Sequence, residues 1–195
     1  MKLKQTKVAT LAATLITFGS LVGGAKGAVT INIWEDGADV RAQASGTLDI
    51  IGLSFLSNSP FPDDFRIDPT DPEILFFGPG DVYSGLGFSL TFGTGGFNAT
   101  GTTSGDHFGF ESNNLLVPTG FVSGGSIFSE GVFSGTDLAT LGVNVGTFDY
   151  TLPNTDTISV VIGSAPSPAA VPEPSSALLL GLGLLGFVSH RKRAS

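Results

Sequence analysis

Hydrophobic and polar residues alternate between residues 29 and 163 with the two-residue period of half-buried β-strands. Residues 29–33 show the alternation most clearly, and residues 35–37 (Glu-Asp-Gly) have the composition of a turn. Residues 40–48 are expected to return as a second strand, with Gly46 as a β-bulge. Because no window of this region combines a helical period with capping residues, the pattern predicts an all-β fold.

Further candidate strands are short, are rich in Phe, Thr and Val, and are separated by turns that contain Gly or Pro. They comprise residues 48–56, 73–77, 87–92, 107–110, 120–121, 126–133, 147–152 and 157–162. About 140 residues are enough for one domain with its own core. We therefore predict a single antiparallel β-sandwich or jelly-roll-like domain at residues 28–163, with a core built largely from Phe.

The first 27 residues have the composition of a secretory signal peptide. A basic head with three lysines precedes an apolar run at residues 8–22, and small residues follow it. Ala25 and Gly27 lie where signal peptidase requires small side chains, so cleavage after Gly27 would make Ala28 the first residue of the mature chain. The alternative is an N-terminal membrane anchor, but the run is shorter than the ~20 residues of a spanning helix.

The other end of the sequence combines three segments in order after a Pro/Ser/Ala linker at residues 164–171. The first is Val171-Pro172-Glu173-Pro174. The second is an apolar stretch without a polar side chain, predicted to be a short membrane helix, which comprises Ala177, Leu178, Leu179, Leu180, Gly181, Leu182, Gly183, Leu184, Leu185, Gly186, Phe187 and Val188. As a helix it covers only ~18 Å of a ~30 Å hydrocarbon core. The third is the basic cluster Arg191-Lys192-Arg193, which would be held on the cytoplasmic side and stop export.

This order of segments closely resembles the PEP-CTERM sorting signal of Gram-negative and related bacteria. The resemblance covers residues 172–195 and the preceding Val171, and it implies processing by an exosortase, an integral-membrane enzyme. It further implies a transient stage in the inner membrane, followed by residence at the cell surface or outside the cell. Extracellular polysaccharide is an implied partner, and signal peptidase is the partner expected at the other end.

Charge and composition exclude several classes of function. Residues 29–171 hold 16 of the 17 acidic residues but only Arg41 and Arg66 of the nine bases, so their formal net charge is −14. Nucleic-acid binding is excluded because it depends on Lys and Arg at the phosphate backbone. With no cysteine, the chain has no disulfides, Cys-ligated metal centres or cysteine nucleophile.

One acidic segment could bind a cation. Residues 60–73 contain four prolines and five acids, so they are predicted to form a loop, and Asp63, Asp64, Asp68 and Asp71 are candidate calcium ligands. The spacing is not that of an EF-hand. The other interpretation is a solvated acidic loop in which Arg66 pairs with one neighbour. Apart from calcium, no metal or cofactor is expected.

Three functions remain open for the β-domain. We expect a non-enzymatic protein of the cell surface or extracellular matrix, without catalytic residues. One alternative is a secreted carbohydrate-binding module that uses Trp34, Tyr83 or Tyr150, which requires aromatic rings exposed on a sheet face. The other alternative is a small secreted hydrolase, which requires two carboxylates, or His107 and a carboxylate, at reactive distance in a pocket.

Overall fold

The computed structural model describes residues 27–60 and 62–167, which form twelve β-strands and one short helix. The strands are β1 (Ala28–Asp36), β2 (Asp39–Leu48), β3 (Ser54–Ser59), β4 (Asp64–Asp68), β5 (Glu73–Phe77), β6 (Gly80–Ser84), β7 (Asn98–Gly105), β8 (Phe108–Glu111), β9 (Asn114–Pro118), β10 (Gly125–Phe133), β11 (Gly146–Thr151) and β12 (Thr157–Ile162). The helix α1 (Leu138–Leu141) lies between β10 and β11. The predicted all-β class is confirmed.

The strands form one curled sheet in the order β11-β12-β1-β2-β10-β7-β4-β5-β8-β9-β6-β3. Strand β7 is the corner, because residues 102–105 pair with β10 and residues 98–101 pair with β4. We call the strands from β11 to β10 the first half and those from β4 to β3 the second half. The halves pack face to face, with the rings of Tyr150 and Phe110 4.8 Å apart. All pairs are antiparallel except β1–β12, which makes the sheet mixed.

The shared core of the described residues is built mainly from Ile, Val and Leu, with six buried Phe rings among its largest side chains, so the expectation of a core built largely from Phe is met only in part. The ring of Phe65 on β4 stacks 4.8 Å from Phe76 on the neighbouring strand and lies 4.7 Å from Phe133 of the first half. Gly131 faces this ring so closely that a Cβ there would lie 2.6 Å from the Phe65 Cγ atom. The two halves therefore meet through an aromatic ring on one side and a bare backbone on the other.

Two predicted strands are wrong, and a third, residues 48–56, is a strand only at its two ends, because residues 49–53 form the connection between β2 and β3. Residues 87–92 are loop, because Gly85 and Gly87 have positive φ and the amides of residues 85, 86 and 88 bond to the β8–β9 turn. Phe88 and Phe92 still contribute to the core from this loop, so burial without strand pairing produced the strand-like pattern. Residues 120–121 are likewise a turn.

The prediction that residues 60–73 form one loop is also wrong, because β4 lies within them. Phe65 and Ile67 are fully buried and alternate with three charged residues, and β4 pairs with β5 and β7 on its two sides. The prolines flank the strand instead of interrupting it. Gly46 is not a bulge, since it pairs in register with Val29 on one side and Ile127 on the other.

Helix α1 was not predicted, although its caps are visible in the sequence. Asp137 precedes it and accepts a hydrogen bond from the Thr140 amide (2.7 Å), and bonding first to the Thr140 side chain and then to its amide lowers the pKa of that carboxyl. Gly142 ends it in the left-handed conformation, with φ of 66°. A helix of four residues is too short to produce a periodic pattern.

Candidate functional site

A groove of about 280 Å³ lies on the outer face of the first half and the corner strand. We call it the Trp34 groove. It is formed by outward-facing side chains of β1, β2, β10 and β7, together with one linker residue: Trp34, Arg41, Gln43, Thr102, Ser104, Glu130, Val132 and Pro166. The inward-facing residues of the same strands build the core, so strand alternation alone directs these side chains outward.

Strand register brings the groove residues together in two adjacent rows. Trp34 lies opposite Arg41, and Arg41 lies opposite Val132 on β10. In the next row Gln43 lies opposite Glu130, and its Nε2 donates a hydrogen bond of 3.2 Å to the Glu130 carboxylate. Directly opposed residues of this kind are close enough to act on one ligand.

The groove presents one half-exposed indole ring beside groups that can donate and accept hydrogen bonds. Trp34 is half-buried, whereas Arg41 keeps 46% of its side chain exposed and pairs with Asp36 at 2.6 Å. An exposed ion pair contributes little to stability, so Arg41 is held in place at the groove yet can exchange partners. Sequence reasoning identified Trp34 but missed Arg41, Gln43 and Glu130. The alternation of β1 and β2 indicated which residues face outward, but not that β10 lies beside β2.

The tyrosines do not join Trp34 on this face. Tyr150 is buried in the core, where its hydroxyl donates to the Leu90 carbonyl oxygen (2.7 Å), and burial raises the pKa of that hydroxyl. Tyr83 is half-buried on β6 and contacts Phe55 edge to face. Of the three aromatic candidates, only Trp34 lines the groove.

His107 connects two loops. Its Nδ1 atom donates to the Pro79 carbonyl oxygen at 2.8 Å, since a carbonyl can only accept, and its Nε2 atom lies 3.2 Å from the Asp63 carboxylate. A carboxylate therefore is within hydrogen-bonding distance of His107, as the hydrolase alternative requires. Within residues 27–60 and 62–167, however, no serine hydroxyl is bonded to His107.

The four calcium candidates are dispersed and have partners of other kinds. Asp64 binds Arg66 with two contacts of 2.9 Å, which confirms the predicted pairing. Asp68 closes a turn by accepting a hydrogen bond from the Thr70 hydroxyl (2.7 Å). Burial raises the pKa of Asp68, but hydrogen bonds from residues 70 and 71 outweigh it, so the pKa is lowered overall. Asp71 accepts from the Ser112 hydroxyl, and Asp63 is the neighbour of His107. In the described part of the chain, no three His, Asp or Glu side chains are grouped as metal ligands.

The predicted signal-peptide cleavage site lies next to a buried carboxylate. The Gly27 amide donates to Asp156 Oδ1 (3.0 Å), and the Asp49 amide donates to Oδ2 (2.8 Å). Asp156 is only 5% exposed, and β1 begins with Ala28, which pairs with Thr157. The side chain thus holds the start of β1 to the β11–β12 connection.

The remaining sorting residues lie outside the described residues. This applies to Val171, Pro172, Glu173, Pro174, the apolar stretch at 177–188 and the basic cluster at 191–193. Between residues 27 and 167, excluding residue 61, no helix has the length and apolar character needed to cross a membrane.

In the comparison with known proteins, residues 170–193 match the family model of the PEP-CTERM protein-sorting motif. Searches of curated proteins and of solved structures found no match. The matched residues contain all three segments that carried the resemblance, and the motif implies export toward the cell surface with an exosortase as processing partner. The chain therefore carries at residues 170–193 the PEP-CTERM sorting motif, the signal that targets exported proteins to an exosortase.

Proposed function

We propose that the mature protein is a non-enzymatic component of the cell surface or extracellular matrix, released from the inner membrane by processing of its sorting tail. The match at residues 170–193 carries the proposal. The acidic β-domain supports it, since a formal charge of −14 over residues 29–171 favours solubility outside the cell. The bonding of His107 to a turn carbonyl and to Asp63 is consistent with a role in fixing loops.

Cell fractionation of a bacterium that has an exosortase tests the sorting step. Replacing Pro172, Glu173 and Pro174 by Ala should leave the protein in the membrane fraction, while the wild-type protein reaches the surface or the medium. A matched variant with Pro166→Ala and Pro168→Ala removes linker prolines but leaves the motif intact, and it should behave like wild type. If the motif variant is released as efficiently as wild type, the proposed processing is refuted.

The Trp34 groove supports a second candidate, a carbohydrate-binding module. Sugar rings stack their C–H face on an aromatic ring, while their hydroxyls bond to fixed polar groups around it. Trp34 supplies the ring, and Arg41, Gln43 and Glu130 supply donors and acceptors in a groove of about 280 Å³. On this proposal the polymer that the surface protein binds is polysaccharide, held along the outer face of the first half.

Co-sedimentation with extracellular polysaccharide from the producing bacterium tests the second candidate. Trp34→Ala should reduce binding at least tenfold, because it removes the stacking platform, whereas Trp34→Phe should retain part of it. Phe55→Ala is the matched control, since Phe55 is 56% exposed on β3 and lies outside the groove. Equal losses in Trp34→Ala and Phe55→Ala, or no loss in either, would exclude the groove as the binding site.

A further inference from the structure

A second pocket, of about 190 Å³, lies on the outer face of the second half of the sheet. We call it the Ser59 pocket. Its floor is apolar and includes Leu75, Val82 and Leu116, while Ser59 and Glu111 are among its polar residues. The pocket shares no residue with the Trp34 groove. The site is therefore independent of the function proposed above.

Strand pairing explains why the floor is hollow. Leu75, Gly109, Leu116 and Val82 face one another across β5, β8, β9 and β6. Gly109 contributes no side chain to this row, and a Cβ there would lie 2.1 Å from the Ile74 carbonyl oxygen. The row therefore has leucine and valine side chains on both sides of a gap.

One end of the pocket holds a hydroxyl without a partner. Ser59 is 4% exposed, and its Oγ atom is the one side-chain polar atom in the described residues that is fully buried without a hydrogen bond. A buried hydroxyl in this state costs free energy that a bound polar group would recover. Ser59 lines the pocket, so a ligand is in position to supply that group.

An acidic row begins at the other end, where Glu111 lines the pocket, and continues outside the pocket. Asp68, Glu73 and Glu111 are direct cross-strand neighbours on β4, β5 and β8. Glu73 is 8% exposed, and burial, together with Glu111, raises its pKa to about 7. Asp68 and Asp71 act in the same direction. Like charges placed opposite one another repel, so this end favours a bound cation.

The nearby arginine does not neutralise the row. Arg66 lowers the pKa of Glu73 only partly, because its Nε atom donates to both oxygens of Asp64 at 2.9 Å. Its guanidinium carbon also lies 4.3 Å from the Phe77 ring centroid. No hydrogen bond from any described residue reaches the Glu73 carboxylate. The structure thus contains a buried acid whose cationic neighbour is bonded to a different carboxylate.

The apolar floor decides which cation fits. Calcium needs six to eight oxygen ligands, and in residues 27–60 and 62–167 no three acidic or histidine side chains form such a set. A primary ammonium needs only one or two carboxylate acceptors, and an aliphatic chain attached to it would cover the leucine and valine floor. We propose that the Ser59 pocket binds a primary ammonium group carried on an aliphatic chain.

Each part of the pocket then has a defined role. The ammonium donates to Glu111, beside the charge of Glu73, and the chain lies over Leu75 and Leu116. Glu111 and Ser59 lie four residues apart along the strands and three strand spacings apart across them, so their backbone positions are about 19 Å apart. Because the two side chains and their hydrogen bonds cover part of this distance, a hydroxyl at the far end of a ten-carbon chain can reach Ser59.

Three probes of equal carbon number separate these contributions: 10-aminodecan-1-ol, decylamine and decane-1,10-diol. Calorimetric or NMR titration of the purified protein at pH 8 should give the tightest binding for the amino alcohol. Decylamine should bind several-fold more weakly and the diol at least tenfold more weakly than the amino alcohol. Ser59→Ala should abolish the difference between the amino alcohol and decylamine. Equal binding of all three probes, or binding of none, would overturn the proposal.

Substitutions that each remove one carboxylate charge provide a second test of the proposed ammonium site. Glu111→Gln should weaken both amines at least tenfold and leave the diol unchanged, because only the ammonium loses its acceptor. Glu130→Gln is the matched control for net charge and should have no effect, since Glu130 lies in the Trp34 groove. If Glu111→Gln and Glu130→Gln weaken amine binding equally, the cause is the overall charge of the protein, and the assigned site is wrong.

Discussion

Replacing Glu73 by Gln tests the electrostatics of the acidic row most directly. Glu73 is 8% exposed, and Glu111 lies directly opposite it on β8. Burial and the neighbouring carboxylates raise its pKa from 4.5 to about 7. Glutamine has nearly the same shape and is neutral at every pH, so it mimics the protonated acid.

The direction in which the free energy of unfolding changes with pH follows from proton binding by Glu73. Because the folded state has the higher pKa, it binds more protons than the unfolded state between about pH 4.5 and pH 7. The free energy of unfolding therefore falls as the pH rises through this window. At ~1.4 kcal/mol for each tenfold change in proton affinity, the loss is at most about 3.5 kcal/mol, and solvent screening of a carboxyl that is not fully buried reduces it to about 1–3 kcal/mol.

Urea unfolding followed by circular dichroism at pH 4.5, 6 and 8 measures the effect. Glu73→Gln should match wild type at pH 4.5 and become more stable than wild type by about 1–3 kcal/mol at pH 8. Glu130→Gln, on the other half of the sheet, should show no such pH dependence relative to wild type. If Glu73→Gln is destabilising at pH 8, the carboxylate has a stabilising partner in the folded protein, and the reasoning about the acidic row fails.

Three further substitutions test packing and hydrogen bonding by thermal or urea unfolding. In the mature chain that begins at Ala28, Asp156→Ala should destabilise by about 1–3 kcal/mol, because it removes the acceptor of the Asp49 amide; a loss below ~0.5 kcal/mol would show that solvent replaces it. Ser59→Ala should leave stability unchanged or raise it by about 1 kcal/mol, since the lost hydroxyl has no partner, and a clear loss would reveal a bond to it. Gly131→Ala should cost about 1–3 kcal/mol by displacing the Phe65 ring, and a neutral result would mean that this side of the core is loosely packed.

Local pattern was sufficient where a strand alternates clearly between turns. Strands β5 and β12 were predicted with their observed bounds, and β1, β2, β8, β10 and β11 to within a few residues. The hydrophobic pattern gave wrong results where residues are buried without pairing in a strand, or pair in a strand without being apolar. Phe88 and Phe92 are core residues on a loop, while β7 is rich in Gly, Thr and Ser and carries too few apolar residues to stand out. The parallel β1–β12 pair could not be predicted either, since local periodicity carries no information about which strands become neighbours.

The sites were predictable only in part for the same reason. The sorting motif is contiguous in sequence, so its residues could be identified without a fold. Trp34 was a candidate because the chain has one tryptophan, but Gln43 and Glu130 meet only through the β2–β10 pairing. Ser59 and Glu111 are separated by 52 positions and line one pocket because β9 and β6 lie between their strands.

The most direct test of the sorting account is the intact mass of the protein recovered from the surface or medium of an exosortase-containing bacterium. The account predicts a chain that begins at Ala28 and ends near Pro172, so that it lacks both the first 27 residues and the stretch from 177 to 193. A recovered chain that retains residues 177–193 would contradict processing at the motif. The tail would then act as a permanent membrane anchor.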